Sequence, residues 1–282
     1  MMRSTINIRG KIYSFDTPKV MGIVNLTPDS FYSGSCTPDS ISIKKRINRV
    51  IQEGVDILDF GGCSTRPGAS EISAEEEYER LLPALEVAKE IAPEIPVSID
   101  TFRSSVARKC VEEWEADIIN DISGGTLDPE MWPAVAELNV PYVLMHMRGT
   151  PADMQQHTSY EDVVADVLKD LAFKIADLRQ IGVADVIVDP GFGFAKTTDQ
   201  NFKLLKNLEV FKQLGCPILA GISRKSMIWK TLGSTPEEAL NGTTVLNTVA
   251  LMKGADIIRV HDVKQAKECV ALTTFLKDKR DV

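Results

Sequence analysis

Eight short apolar runs recur along the chain, and most stop at a polar or charged residue followed by a loop rich in Gly, Pro or Ser. They are KVMGIVN, ending at Asn25; VDILDFGG, with Asp59; IPVSIDT, with Asp100; and ADIINDISGG, with Asn120 and Asp121. The second half supplies VPYVLMH, ending at His146; ADVIVDPGFGF, with Asp189; CPILAGISRK, with Ser223 to Lys225; and ADIIRVHD, with Arg259 and His261. Segments long enough for a crossover helix separate them, with helical apolar spacing, as in Glu75 to Ile91 and Asp199 to Leu214. This repeat predicts an α/β protein of the (β/α)8 TIM barrel type. Active sites of such barrels form where strands end, at the C-terminal face, so the polar residues closing the runs are the candidate site.

A chain of 282 residues with 44% hydrophobic content can bury the core of one such domain, which is expected to span residues 1–282. Lys and Arg total 32 against 40 for Asp and Glu, a net charge of −8 that does not attract nucleic acid. An anion site must therefore be a local concentration of cations. Five scattered cysteines, never in a CxxC pair, suggest neither a disulfide framework nor a zinc site and fit a reducing compartment. Met1 to Asp16 has no apolar stretch of signal-peptide length, and no segment approaches a membrane span, so a cytoplasmic location is expected. TINIRGKIYSF alternates around Gly10 and predicts a short hairpin across the N-terminal end of the barrel. Thr27 to Ser40 and Gly61 to Ser73 read as long loops on the catalytic face.

Asp100, Asn120 and Asp189 end the third, fourth and sixth runs. Converging in one cavity, they form an acceptor-rich surface suited to a ligand edge with several N–H donors, such as an aminopyrimidinone. Each alone could equally cap its loop. Arg259 and His261 lie two apart and share a face, and Arg66 follows the second run with Ser64 and Thr65. With Asn25 they describe a phosphate or diphosphate site, because guanidinium forks match oxyanion geometry. The alternative for Arg259 is a structural bridge to Asp262 or another carboxylate. Lys225, in GISRKS, opens a helix with Ser226 and could hold a carboxylate or carbonyl oxygen, or be a solvated surface lysine. His146 and His157 show no metal-ligand spacing.

NLTPDSF (25–31), GGCSTRPGA (61–69), SIDT (98–101), INDISGG (119–125), DPGFGF (189–194), GISRKS (221–226) and RVHD (259–262) together resemble the ordered signature blocks of the dihydropteroate synthase family. That family is a (β/α)8 barrel, usually dimeric, that joins 6-hydroxymethyl-7,8-dihydropterin diphosphate to p-aminobenzoate with release of diphosphate in folate biosynthesis. The resemblance implies that Asp189 and Asn120 bond the aminopyrimidinone edge, with Asp100 near the ring and its methylene and Lys225 on the carbonyl and N5 side. It implies that Arg259 stacks on the pterin and, with His261, Asn25, Thr65 and Arg66, receives the diphosphate. Asn25 is then the protein contact of Mg²⁺, and Arg66, Pro67, Phe194 and Ser226 line the aminobenzoate subsite. A homodimer without nucleic-acid or membrane partners is expected.

Two departures from the family pattern bear on the loops. Tyr32 and Ser33 follow Phe31 where an Asp is common two residues on, and Cys63 stands where Glu is frequent. Three other functions would be read from related features. A corrinoid methyltransferase would share the pterin contacts without Arg66 or the SRK and RVH blocks. A Schiff-base aldolase would use Lys225, and a noncatalytic pterin-binding paralogue would lose the diphosphate cluster.

Overall fold

The computed structural model describes residues 5–27, 40–64 and 72–278. Strands β1 (Thr5–Ile8) and β2 (Lys11–Ser14) form an antiparallel hairpin ahead of the barrel. Its two-residue turn, Arg9 and Gly10, takes positive φ at both positions (51° and 74°), the conformation whose twist matches paired strands.

Each of the eight apolar runs contains a strand: β3 (Lys19–Asn25), β4 (Ile57–Gly61), β5 (Val97–Asp100), β6 (Ile118–Asp121), β7 (Tyr142–Met145), β8 (Val186–Asp189), β9 (Leu219–Ala220) and β10 (Ile257–Val260). They pair in parallel in the order β8-β7-β6-β5-β4-β3-β10-β9. A single parallel bridge from Val188 to Ile218 brings the two ends together. The result is the expected (β/α)8 barrel, with helices α1 (Ser40–Gln52), α2 (Ala74–Ile91), α3 (Ser104–Trp114), α4 (Met131–Leu138), α5 (Val163–Gln180), α6 (Thr198–Lys206), α7 (Ser226–Leu232), α8 (Leu240–Met252) and α9 (Val263–Asp278) between or after the strands.

The helices carry their own start signals. Ser73 caps α2 by accepting from the Glu76 amide (3.1 Å), and Glu75, Glu76 and Glu77 face the positive end of the helix dipole. Thr197 and Gln200 form a capping box on α6. The apolar spacing from Asp199 to Leu214 predicts one helix, but α6 ends at Lys206 and a 3₁₀ segment covers Leu208–Leu214. Asn207 is the reason: its side-chain amide donates to the Lys203 carbonyl (2.8 Å), supplying locally what another helical turn would have provided.

Alternation along the strands builds the barrel interior in layers. Met21, Ile57, Ile118, Val143, Ile187, Leu219 and Ile257, near the strand beginnings, pack with Ile6, Ile8 and Phe15 from the hairpin and its exit. The hairpin thus closes the N-terminal end, as its sequence predicts. Arg9 fastens it, with Nε and Nη2 donating to the two oxygens of buried Asp117 at 2.6 and 2.7 Å. Asp117 also accepts from the Val97 amide at the start of β5 (2.9 Å). Arg9→Ala would leave that carboxylate short of its charged partner and should lower unfolding stability by about 1–3 kcal/mol, measured by chemical denaturation. No helix among the described residues is long and apolar enough to cross a membrane.

Candidate functional site

Two residues beyond the apolar layer, the same alternation changes from hydrocarbon to charge. Ile57 is followed on its face by Asp59, Ile118 by Asn120, Ile187 by Asp189 and Ile257 by Arg259 and then His261. One barrel mouth therefore gathers residues from positions 59 to 261, held in place by strand register.

Asp59 is the hub of this layer. Fully buried, it accepts from Ser98 Oγ (2.7 Å), Asn120 Nδ2 (3.3 Å) and Arg259 Nε (2.7 Å). Arg259 Nη2 also donates to Asp100, so one guanidinium lies between two carboxylates from adjacent strands. The sequence leaves open a bridge from Arg259 to Asp262 or another carboxylate; Asp59 and Asp100 take that place, while Asp262 is held by Arg224 at 2.9 Å. The sequence also places Asp59 among the run-closing residues without giving it a role. The signal that finds it is the two-residue step from Ile57 to Asp59 to Gly61 on an inward face.

Burial pushes the Asp100 carboxyl up to about 7, Arg259 opposing and Asp59 adding to the shift. Burial works against the Arg259 cation as well, yet Asp59 and Asp100 hold it above its ordinary value. Asp189 is raised by burial, with Lys225 and the Gly191 amide (2.7 Å to Oδ1) opposing. Lys225 is drawn down to about 8 by burial, with Asp189 favouring its charge. It is not a solvated surface lysine: it immediately precedes α7, and Nζ donates to the Phe192 carbonyl and lies 4.6 Å from the Phe194 ring centroid.

Burial, reinforced by Arg259, lowers His261 to about 4, so with no anion beside it the imidazole is neutral near pH 7. Ser223 fixes its orientation, with Oγ 3.1 Å from Nδ1 and accepting from the His261 amide at 3.2 Å. Asn25 ends β3 opposite Gly61, with its oxygen near the same mouth as Asp100. Phe194 is half-buried beside Met145, Met147 and Met154 rather than sealed in the main core. Ser226 is the first residue of α7. Thr65, Arg66, Pro67, Asp29, Tyr32 and Ser33 lie outside the described residues. His146 is buried and His157 pairs with Asp153.

The assembled mouth can bind a flat heterocycle by its N–H edge on Asp189 and Asn120, offer a guanidinium at its face, and receive an anion beside Arg259 and His261. Residues 21–261 match the model of the family described as pterin binding enzyme. The dihydropteroate synthase of Escherichia coli K12 is 42% identical over 264 residues, 93% of each chain. Among solved structures, the Xanthomonas albilineans dihydropteroate synthase with 4-aminobenzoic acid superposes with a TM-score of 0.89 at 37% identity, covering 98% of this chain and 99% of that one. The Yersinia pestis dihydropteroate synthase in a sulfonamide drug complex gives 0.90 at 33% identity, covering 98% and 100%. A chain matching this family model over most of its length, and this similar to these enzymes, belongs to the pterin-binding family and within it to the dihydropteroate synthases.

Proposed function

We propose that the chain condenses 6-hydroxymethyl-7,8-dihydropterin diphosphate with p-aminobenzoate, releasing diphosphate, through the residues gathered at the C-terminal mouth. The observation that carries the residue assignments is the cluster of Asp59, Asp100, Asn120 and Arg259, with Asp189 and Lys225 beside it. Asp189 and Asn120 accept from and donate to the aminopyrimidinone edge. Asn120 points its amide N–H at Asp59, which turns its carbonyl oxygen away from that carboxylate. Lys225 donates to the pterin carbonyl and N5 side. Arg259 lies along the ring and faces the diphosphate with His261, Asn25, Thr65 and Arg66.

The reaction is a dissociative substitution at the pterin methylene. Carbon–oxygen cleavage leaves a cation delocalised over the electron-rich dihydropterin, and Asp100 sets a negative charge beside it. Arg259 and the N–H of His261 stabilise the leaving group as its charge develops. The neutral aniline nitrogen then attacks the methylene cation, guided by Arg66, Pro67, Phe194 and Ser226, and the proton it sheds passes to the released diphosphate or to solvent. No strong base is required, because an arylamine is already neutral and nucleophilic near pH 7.

Asn25 offers one neutral hard oxygen, and no group of three acidic, His or Cys residues that could hold a metal lies among the described residues. That donor set fits Mg²⁺ arriving with the diphosphate, which would supply most of its ligands, rather than a resident ion. When bound, Mg²⁺ supplies positive charge to the leaving diphosphate. EDTA should accordingly abolish turnover, and aminobenzoate should bind well only once diphosphate or the pterin diphosphate is present. Equal aminobenzoate affinity by calorimetry with and without diphosphate would contradict this order.

The direct test is diphosphate release from the two substrates, with dihydropteroate identified by mass. Asp189→Asn exchanges an acceptor pair for one acceptor and one donor, a buried mismatch of about 1–3 kcal/mol, or roughly 5- to 150-fold in pterin affinity. Unchanged pterin binding would remove Asp189 from the site. A main core running from Val20 to Val270 supports a single working domain. Exposed Val245 on α8 and Leu272 and Leu276 on neighbouring α9 support pairing of two copies. Free Cys63, Cys110, Cys216 and Cys269 support a cytoplasmic, reducing setting.

A further inference from the structure

Beneath the turn that carries Asp189 and Phe194 lies a second lysine, to which the reaction assigns nothing. Lys196 is only 3% exposed. Its Nζ is 3.0 Å from the Gly191 carbonyl, 3.0 Å from the Phe194 carbonyl and 3.0 Å from His146 Nδ1. An ammonium has three donors, and three acceptors surround this one. Neutral groups thus receive all its short contacts, and burial draws the amine down to about 7, with Asp189 and Asp170 opposing. Burying an amine costs solvation, which its three hydrogen bonds offset only in part, as the lowered pKa reflects.

The backbone is shaped to meet it. Gly191, Gly193 and Ala195 all have positive φ (74°, 82° and 49°), and the carbonyls of Gly191 and Phe194 converge on the same nitrogen. Gly191 admits no side chain, since a Cβ there would come within 2.0 Å of the His146 carbonyl oxygen. From the other side, Lys225 donates to the Phe192 carbonyl and covers the Phe194 ring. The turn is therefore fastened by two lysines. One of them, Lys225, also borders Asp189 and divides its donors between the turn and a pterin, whereas Lys196 gives its donors to the turn and His146 and faces no open space.

We propose that Lys196 is a positioning residue, whose hold on the Gly191 and Phe194 carbonyls against His146 keeps the Phe194 ring set for aminobenzoate when Lys225 turns to the pterin. The inference rests on Phe194 forming a wall of the aminobenzoate subsite. It places Lys196 out of contact with either substrate, and because Asp189 is also held by its own strand β8, loss of Lys196 should act more on the second substrate than on the pterin.

Initial rates for Lys196→Met, with each substrate varied, test it. The KM for aminobenzoate should rise about ten- to hundredfold, the scale expected when a positioning contact is lost. The KM for the pterin diphosphate should change much less, since only a nearby cation is lost from Asp189. A parallel rise in both KM values, a fall in kcat with neither KM changed, or wild-type kinetics would each overturn the proposal. Phe194→Ala separates the two layers of the argument. If it leaves the aminobenzoate KM unchanged, the subsite reading fails; if it raises that KM and Lys196→Met does not, only the role of Lys196 fails. Should Lys196→Met not fold, amide hydrogen exchange in the wild-type protein decides the matter. Protection at residues 192–195 should persist when dihydropterin diphosphate binds, and its loss would show that Lys225 alone had held the turn.

Discussion

Arg259→Met is expected to lower kcat/KM by about a thousandfold and to destabilise the fold at the same time. The turnover loss follows from removing a charge aimed at the departing diphosphate, where deleting even one preorganised donor costs about 10²–10³. The stability loss has a separate origin. Asp59 and Asp100 share the guanidinium of Arg259, and breaking a buried pair by removing one partner costs about 3–5 kcal/mol because a charge is left without compensation. The two effects can be pulled apart. Combining Arg259→Met with Asp59→Asn relieves the stranded charge, so the double variant should regain part of the stability and none of the turnover. Denaturation midpoints and steady-state rates on both variants decide this, and an Arg259→Met enzyme within tenfold of wild type would place the leaving-group cation elsewhere.

The strand pattern that makes Arg259 visible in the sequence also explains what stays hidden. All eight strands and the plugging hairpin can be read from apolar runs and turn residues, because burial and turn geometry act locally. Asp100, Asn120, Asp189 and Arg259 can be read as site candidates because each closes or sits in a run. Their partners cannot be read. Whether Arg259 pairs with Asp262, three residues along, or with Asp59, two hundred residues away, depends on which strands become neighbours and in what register. The neutral state of His261 is hidden for the same reason: it comes from burial beside Arg259, a tertiary property. Lys196 is harder still, since in sequence it is merely a lysine after a Gly-rich turn, and its three acceptors appear only once the turn folds over His146.

The pH dependence of kcat/KM should be bell-shaped, with its acid limb near 7 and its basic limb near 8. Asp100, raised to about 7, works as a carboxylate beside the methylene that becomes cationic, so activity should rise as pH climbs through that value. Lys225, lowered to about 8, works as a protonated donor, so activity should fall as pH climbs past it. His261, at about 4, is neutral across this range and contributes no limb. Well below the acid limb the rate should drop about tenfold per pH unit, as for a single required ionisation in the free enzyme. The pterin diphosphate titrates its own oxygens, which could imitate the acid limb. Asp100→Asn removes the ambiguity, because Asn does not ionise: the variant should be slower on the plateau between the limbs and should lose the acid limb while keeping the basic one, so the two profiles converge at low pH. If the acid limb survives in Asp100→Asn, it belongs to the substrate, and the negative charge facing the pterin methylene has to come from another group.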